Sequence, residues 1–260
     1  MKSNLSFLFF VINFLFSQTD FENAQNAYDL RSAGSVKNTA SQSNINSAIK
    51  YYNSSFNQKS TPEAALGILK SYYFKGKYVV DDPEEKKVIF DNAVKLGTSF
   101  IEQYPKNAGI RYWYLTNLGS WAEVFGIIAA AKEGFADIMK THSEKIIELD
   151  PDYKDGGGYF MLGVVHLRTP YVPFFLSWPD KDEAERLLKI SLNKGENILV
   201  QRLYYAKALY KNNKQDEALR IFNEVANAEP SKENQVEDWD QIIEAKLFLK
   251  NLKNKENVKS

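Results

Sequence analysis

The chain has 260 residues with 33 basic and 33 acidic side chains, a balance that leaves no electrostatic footprint for nucleic acid. With 44% hydrophobic and 25% charged residues it has globular composition, which excludes wholesale disorder, and its length is enough to bury a substantial core. Cysteine is absent, which excludes disulfides, thiol catalysis, cysteine-held metal and a lipidated cysteine within this sequence.

Residues 1–17 read as a signal peptide: Lys2 is the only charge, Leu5 to Phe16 is apolar apart from a few polar residues such as Asn13, and Ser17 is a small residue at the expected cleavage point. The apolar run is shorter than the roughly 20 residues of a membrane-spanning helix, so an uncleaved anchor is the lesser reading. The expectation is an exported, periplasmic protein. Residues 18–42 are polar and lack periodicity, and are expected to be a linker or a weakly ordered N-terminus. A helical domain is expected over 43–252, and a charged tail over 253–260.

From Ile45 onward the pattern is helical, with Ile45, Ala48, Ile49, Tyr52 and Phe56 on one face. Thr61-Pro62 and Asp82-Pro83 each join a capping side chain to a proline at the first helical position, so helices are predicted from both. The second runs to about Tyr104, where Pro105 stops it. Further helices are predicted at about 107–122, 124–149 and 157–168. Tyr112, Trp113, Asn117 and Trp121 spread along the first of these, and Trp113, Asn117 and Trp121 share a face. Aromatic walls around one amide suit a small-molecule pocket, although packing against the next hairpin is the commoner use of such a face.

Asp150, Asp152 and Asp155 miss the calcium-loop pattern, because Lys154 stands at a ligand position and Asp155 where glycine is needed; a solvated turn is expected. Asp155 is expected to cap the following helix, with Gly156, Gly157 and Gly158 letting its first turn pack closely. The other reading of Gly157, Gly158 and Tyr159 is a set of backbone amides facing a ligand passage. No Walker lysine follows the glycines. The two histidines, His142 and His166, make no zinc or triad pattern, and His166 is expected to be packed or to line a pocket.

Prolines at 170, 173 and 179 forbid a regular helix across a segment that carries Tyr171, Phe174, Phe175, Leu176 and Trp178. So apolar a segment must either line a cavity or fill a gap between helices. Helices at 183–193, 198–212 and 215–227 follow. A last helix at about 234–252 carries an apolar stripe of Val236, Trp239, Ile243 and Leu247.

Four bulky–small pairs recur, Leu66-Gly67, Leu118-Gly119, Leu162-Gly163 and Tyr205-Ala206, each followed by a second helix. With Ala206 in the small position, Leu209, Ala218, Phe222, Val225 and Pro230 fall on the remaining signature positions of a tetratricopeptide repeat (TPR) of about 34 residues. The intervals between pairs exceed that period, so the predicted fold class is all-α: a TPR-like α-solenoid of antiparallel helix hairpins with elongated, elaborated repeats. No catalytic constellation and no cofactor motif accompany it, and a binding protein rather than an enzyme is expected.

The central stretch resembles a particular family. Tyr112-Trp113 with Leu118-Gly119, then Asp155-Gly156-Gly157-Gly158, Pro170 with Pro173, and Asp180-Lys181 with Glu183-Ala184 are similar to the T-component (TatT) family associated with TRAP transporters. The resemblance implies a periplasmic, TPR-like ligand-binding accessory protein with an apolar pore, trimeric in its described form. Its implied partner is the periplasmic solute-binding (P) component of a TRAP transporter, and its implied ligand an apolar or amphiphilic small molecule. Candidate ligand contacts on this reading are Tyr112, Trp113, Asn117, Trp121, Gly157, Gly158, Tyr159, His166, Tyr171, Phe174, Phe175 and Trp178. The family's lipid anchor has no counterpart, since there is no cysteine to carry it. A generic periplasmic TPR scaffold that grips a protein is the alternative.

Overall fold

The computed structural model describes residues 19–132, 134–170, 176–195 and 197–259. They form twelve helices, with no strand among the described residues. The signal-like stretch 1–17 lies outside them. None of the described helices is long and apolar enough to cross a membrane.

The chain divides into two compact units: Thr39–Trp121 with the residues up to Ser35, and Val36–Asn38 with Ala122–Ser260. In the first unit α1 spans 19–29, inside the stretch expected to be a linker or weakly ordered. Its packing explains its order. Ala24 is fully buried, Phe21 sets its ring edge-on to Tyr52 at 5.8 Å, and the Asp20 carboxylate accepts from Ser54 Oγ at 2.5 Å and Gln58 Nε2 at 2.8 Å.

Next come α2 (Gln42–Gln58), α3 (Pro62–Tyr78), α4 (Pro83–Gln103) and α5 (Ala108–Phe125), whose end from Ala122 belongs to the second unit. Both proline starts are as expected. Thr61 Oγ1 accepts from the Ala64 N–H at 3.2 Å, and Asp82 Oδ1 from that of Glu85 at 2.8 Å. A Cβ on Gly67 would overlap the Tyr52 ring, so α2 and α3 touch where the first bulky–small pair lies.

In the second unit, the single helix expected over 124–149 is broken. The end of α5, α6 (Ile127–Lys132) and α7 (Phe135–Leu149) are separated at Gly126 and Gly134, whose φ values of 115° and 84° lie in the region that only glycine enters freely. Then follow α8 (Gly157–Arg168), α9 (Lys181–Lys194), α10 (Leu199–Lys211), α11 (Gln215–Ala226) and α12 (Gln235–Lys259). Asp155 does not cap α8. The cap residue is Gly156, and Lys154, Asp155 and Gly156 all take left-handed backbone conformations, with φ of 47°, 55° and 80°. Helix α12 continues through the expected tail to Lys259. It packs through Val236, Ile242, Ala245 and Phe248, the last stacked on Phe222 at 4.0 Å, and this leaves Leu247 of the expected stripe 55% exposed.

Helix α10 is central to this unit, touching α8, α9, α11 and α12. Since α8, α10 and α12 are the first helices of successive hairpins and touch in sequence, they form one layer, with α9 and α11 in the other.

Candidate functional site

The proposed ligand contacts fall into two groups, one in each unit. In the first, Asn117 is fully buried, and its amide donates to the backbone oxygens of Leu69 at 3.0 Å and Trp113 at 2.7 Å. Both N–H groups are therefore engaged, one joining α5 to α3 and one bonding back within α5, while Oδ1 is buried with no hydrogen-bond partner among the described residues. Trp113 is buried, and its ring meets those of Tyr73 at 5.6 Å and Tyr112 at 5.7 Å, with Lys70 Nζ 5.8 Å from its ring. Tyr112 and Trp121 are half-buried.

In the second unit the glycines serve close approach. A Cβ on Gly158 would lie 2.8 Å from Ile147 Cγ1 of α7, and one on Gly163 2.7 Å from Leu188 Cγ of α9. Gly157 is buried, and Tyr159 is half-buried with Lys194 Nζ 5.8 Å from its ring. The aspartates nearby make the expected turn: Asp150 Oδ1 accepts from the Asp152 N–H at 3.1 Å, and Asp152 pairs with Lys194. His166 and Trp178 meet edge-on at 5.1 Å. Tyr171, Phe174 and Phe175 lie outside the described residues.

A further constellation, absent from the sequence reading, crosses the layer of first helices. Arg168 at the end of α8 donates to the Glu123 carboxylate, and its Nη1 lies 3.5 Å from the Tyr204 hydroxyl on α10. Lys207, one turn further along α10, sits with Nζ 4.0 Å from the Tyr204 ring centroid and donates to Glu244 Oε1 of α12 at 2.6 Å. Phe160 of α8 closes on the Tyr204 ring edge-on at 5.4 Å. Lys211 extends the row, donating to the Leu167 carbonyl at the end of α8 at 2.6 Å.

The electrostatics of this row are those of charges crowded together and partly buried. Burial pushes the Tyr204 phenol far above its usual range, with Arg168 opposing and Glu123 and Glu244 adding to the shift. Burial pulls the Lys207 ammonium down although Glu244 supports its charge. Burial and Lys181 lower Lys211 in the same direction. Partly exposed ion pairs contribute only about 0–1 kcal/mol each, so stability alone is a weak reason to gather charges here. Displaced titration accompanies binding sites and structural ion-pair networks alike, and here burial is its first cause. The sequence signal was present but faint: Tyr204, Lys207 and Lys211 recur at three and four residues along one helix.

The sequence model of one protein family, the regulator of microtubule dynamics protein 1-3 (RMD1-3) family, matches residues 29–170, more than half of the chain. The chain belongs to the RMD1-3 family. Its matched region begins at the end of α1 and closes just past α8, so it takes in Glu123, Phe160 and Arg168 but not Tyr204 or Lys207. Among solved structures, a thermophilic TPR protein from Thermus thermophilus is similar with a TM-score of 0.59 at 14% identity, over 90% of this chain and 98% of that one. Such identity shows the fold alone, and it is the expected all-α, TPR-like one. No curated protein matches the chain. The T-component resemblance thus rests on its motifs, while the family shown is RMD1-3.

Proposed function

We propose that this RMD1-3 family member is a helical-repeat interaction scaffold that holds a partner polypeptide against α8, α10 and α12. The observation that carries this reading is the row Glu123, Arg168, Tyr204, Lys207 and Glu244, which lines up cations, carboxylates and a phenol across consecutive first helices. A peptide offers both donors and acceptors along its backbone, and such a row can answer both. A purely apolar small molecule has no use for four charges. The test places a photoreactive amino acid at Tyr204, and in a second protein at Arg220 on α11. Crosslinking to one defined polypeptide from position 204 and not from 220 supports the reading. Equal crosslinking from both positions, or none from 204, removes it.

The name of the family attaches its members to microtubule dynamics, and co-sedimentation with polymerised tubulin tests whether this chain shares that partner. The leader-like stretch Leu5–Phe16 supports a scaffold that works after export, where the partner would be a periplasmic protein.

A second reading retains the T-component role, with an apolar ligand and the P component of a TRAP transporter as partners. It is favoured by the aromatic contacts of Tyr73, Tyr112 and Trp113 on α3 and α5. Native mass spectrometry of the purified protein should then show a retained lipid-like adduct that Trp113→Ala releases. A clean mass rejects this reading.

A further inference from the structure

We propose that His166 is an acid-released latch for the segment Leu176–Asp180. This short, non-helical segment is held on α6, α7 and α8 at three points. The backbone N–H of Asp180 donates to His166 Nδ1 at 3.2 Å. The Trp178 ring stands edge-on to the imidazole at 5.1 Å, and its indole Nε1–H donates to Asp137 Oδ1 of α7 at 2.8 Å. Leu176, 3% exposed, packs with Ala131 and Ala136, and Trp178 lies against the same group.

A histidine that accepts through Nδ1 from a backbone amide is in its neutral form, with its proton on Nε2. Protonation turns Nδ1 into a donor facing another donor, and the bond to Asp180 is lost. The groups around the ring set how easily this happens. Burial disfavours the imidazolium, and Lys140 of α7, whose Nζ lies 5.1 Å from the Trp178 ring, works in the same direction. Glu183 of α9, Asp180 just before that helix and Glu144 of α7 pull the other way. Two of these carboxylates are engaged elsewhere: Asp180 accepts from the Asp182 and Glu183 N–H groups, and Glu183 holds Arg186. The outcome is an imidazole that titrates below its free value of 6.5.

The direction of the linkage follows. With the closed-state value depressed, the released imidazole binds a proton first as pH falls below 6.5. The latch is therefore fully held above that value and weakens as pH drops through the depressed one. Release uncovers the apolar surface of Ala131, Ala136 and Trp178; Ile128 of α6 and Ile138 of α7 are already 63% and 37% exposed.

The experiment follows the Trp178 indole N–H resonance, assigned by its loss in Trp178→Phe, from about pH 8 to about pH 5. The proposal expects this signal to leave its hydrogen-bonded position in a single-proton transition with a midpoint below 6.5. His166→Asn, which keeps an acceptor near Nδ1 but cannot take the proton, should abolish the transition and leave the indole in place. An indole signal that stays fixed while His166 titrates overturns the latch, and so does an unchanged transition in His166→Asn. Should that variant not fold, the imidazole nitrogen shifts of the wild type decide. They must report the Nε2–H tautomer at high pH and change in step with the indole; any other behaviour counts against the proposal.

Discussion

Asn117 of α5 donates its side-chain amide to the backbone oxygen of Leu69 in α3 at 3.0 Å, from a position with no solvent exposure. A residue named as a candidate ligand contact pins two helices of the first unit through one of its amide hydrogens. Replacement by alanine removes both donated bonds and leaves a void, and should lower unfolding stability by about 2–3 kcal/mol. A shifted urea midpoint with unchanged slope is the readout. Asn117→Asp should be worse, since it buries a charge in place of an amide.

The close approach of α8 to α9 makes Gly163 a second sensitive point. A methyl group there meets Leu188 Cγ at 2.7 Å and the Leu188 backbone nitrogen at 3.2 Å, so the helices must part. Gly163→Ala is expected to cost about 1–3 kcal/mol in thermal or urea unfolding although alanine favours helix.

Binding and stability should separate at Lys207. Its ammonium is pulled down by burial, so keeping it charged costs stability at neutral pH, and the cost is relieved as pH rises through the depressed value. Lys207→Met keeps the packing of the stem and drops the charge. Stability should change by less than about 1 kcal/mol, in either direction, while crosslinking from position 204 is lost.

Asp180 should make α9 acid-sensitive. The backbone N–H groups of Glu183 and Asp182 hold its carboxyl below the 3.8 of a free aspartate. A lowered acid favours the folded state above the free value, and that help disappears as pH falls through the folded one. Asp180→Ala should cost about 1 kcal/mol near neutral pH, and the gap to wild type should close in strong acid; paired melts at the two pH values read this out.

Local chemistry was legible where one or two residues decide an element. Thr61-Pro62 and Asp82-Pro83 marked their helix starts because cap and proline act within a single turn. Gly126 and Gly134 were missed because glycine inside an apolar run is compatible with helix until the backbone is seen at positive φ. Asp155 lost its expected capping role for the same reason. The row around Tyr204 was hidden because its links join residues 45, 36 and 37 positions apart, and hairpin packing rather than local periodicity sets those distances. Trp178 and His166 could each be picked out in the sequence, but their pairing needed the chain folded back on itself.

Arrays of helix pairs ordinarily melt like a row of loosely coupled spins, each hairpin answering only to the next. Helix α10 is where that coupling is densest in the second unit, because it touches its own partner α11, the preceding α8 and α9 and the following α12. Losing it unseats two hairpins and the last helix at once. Amide protons across these five helices should therefore exchange through one shared opening, with no gradient of fraying from the C-terminal end.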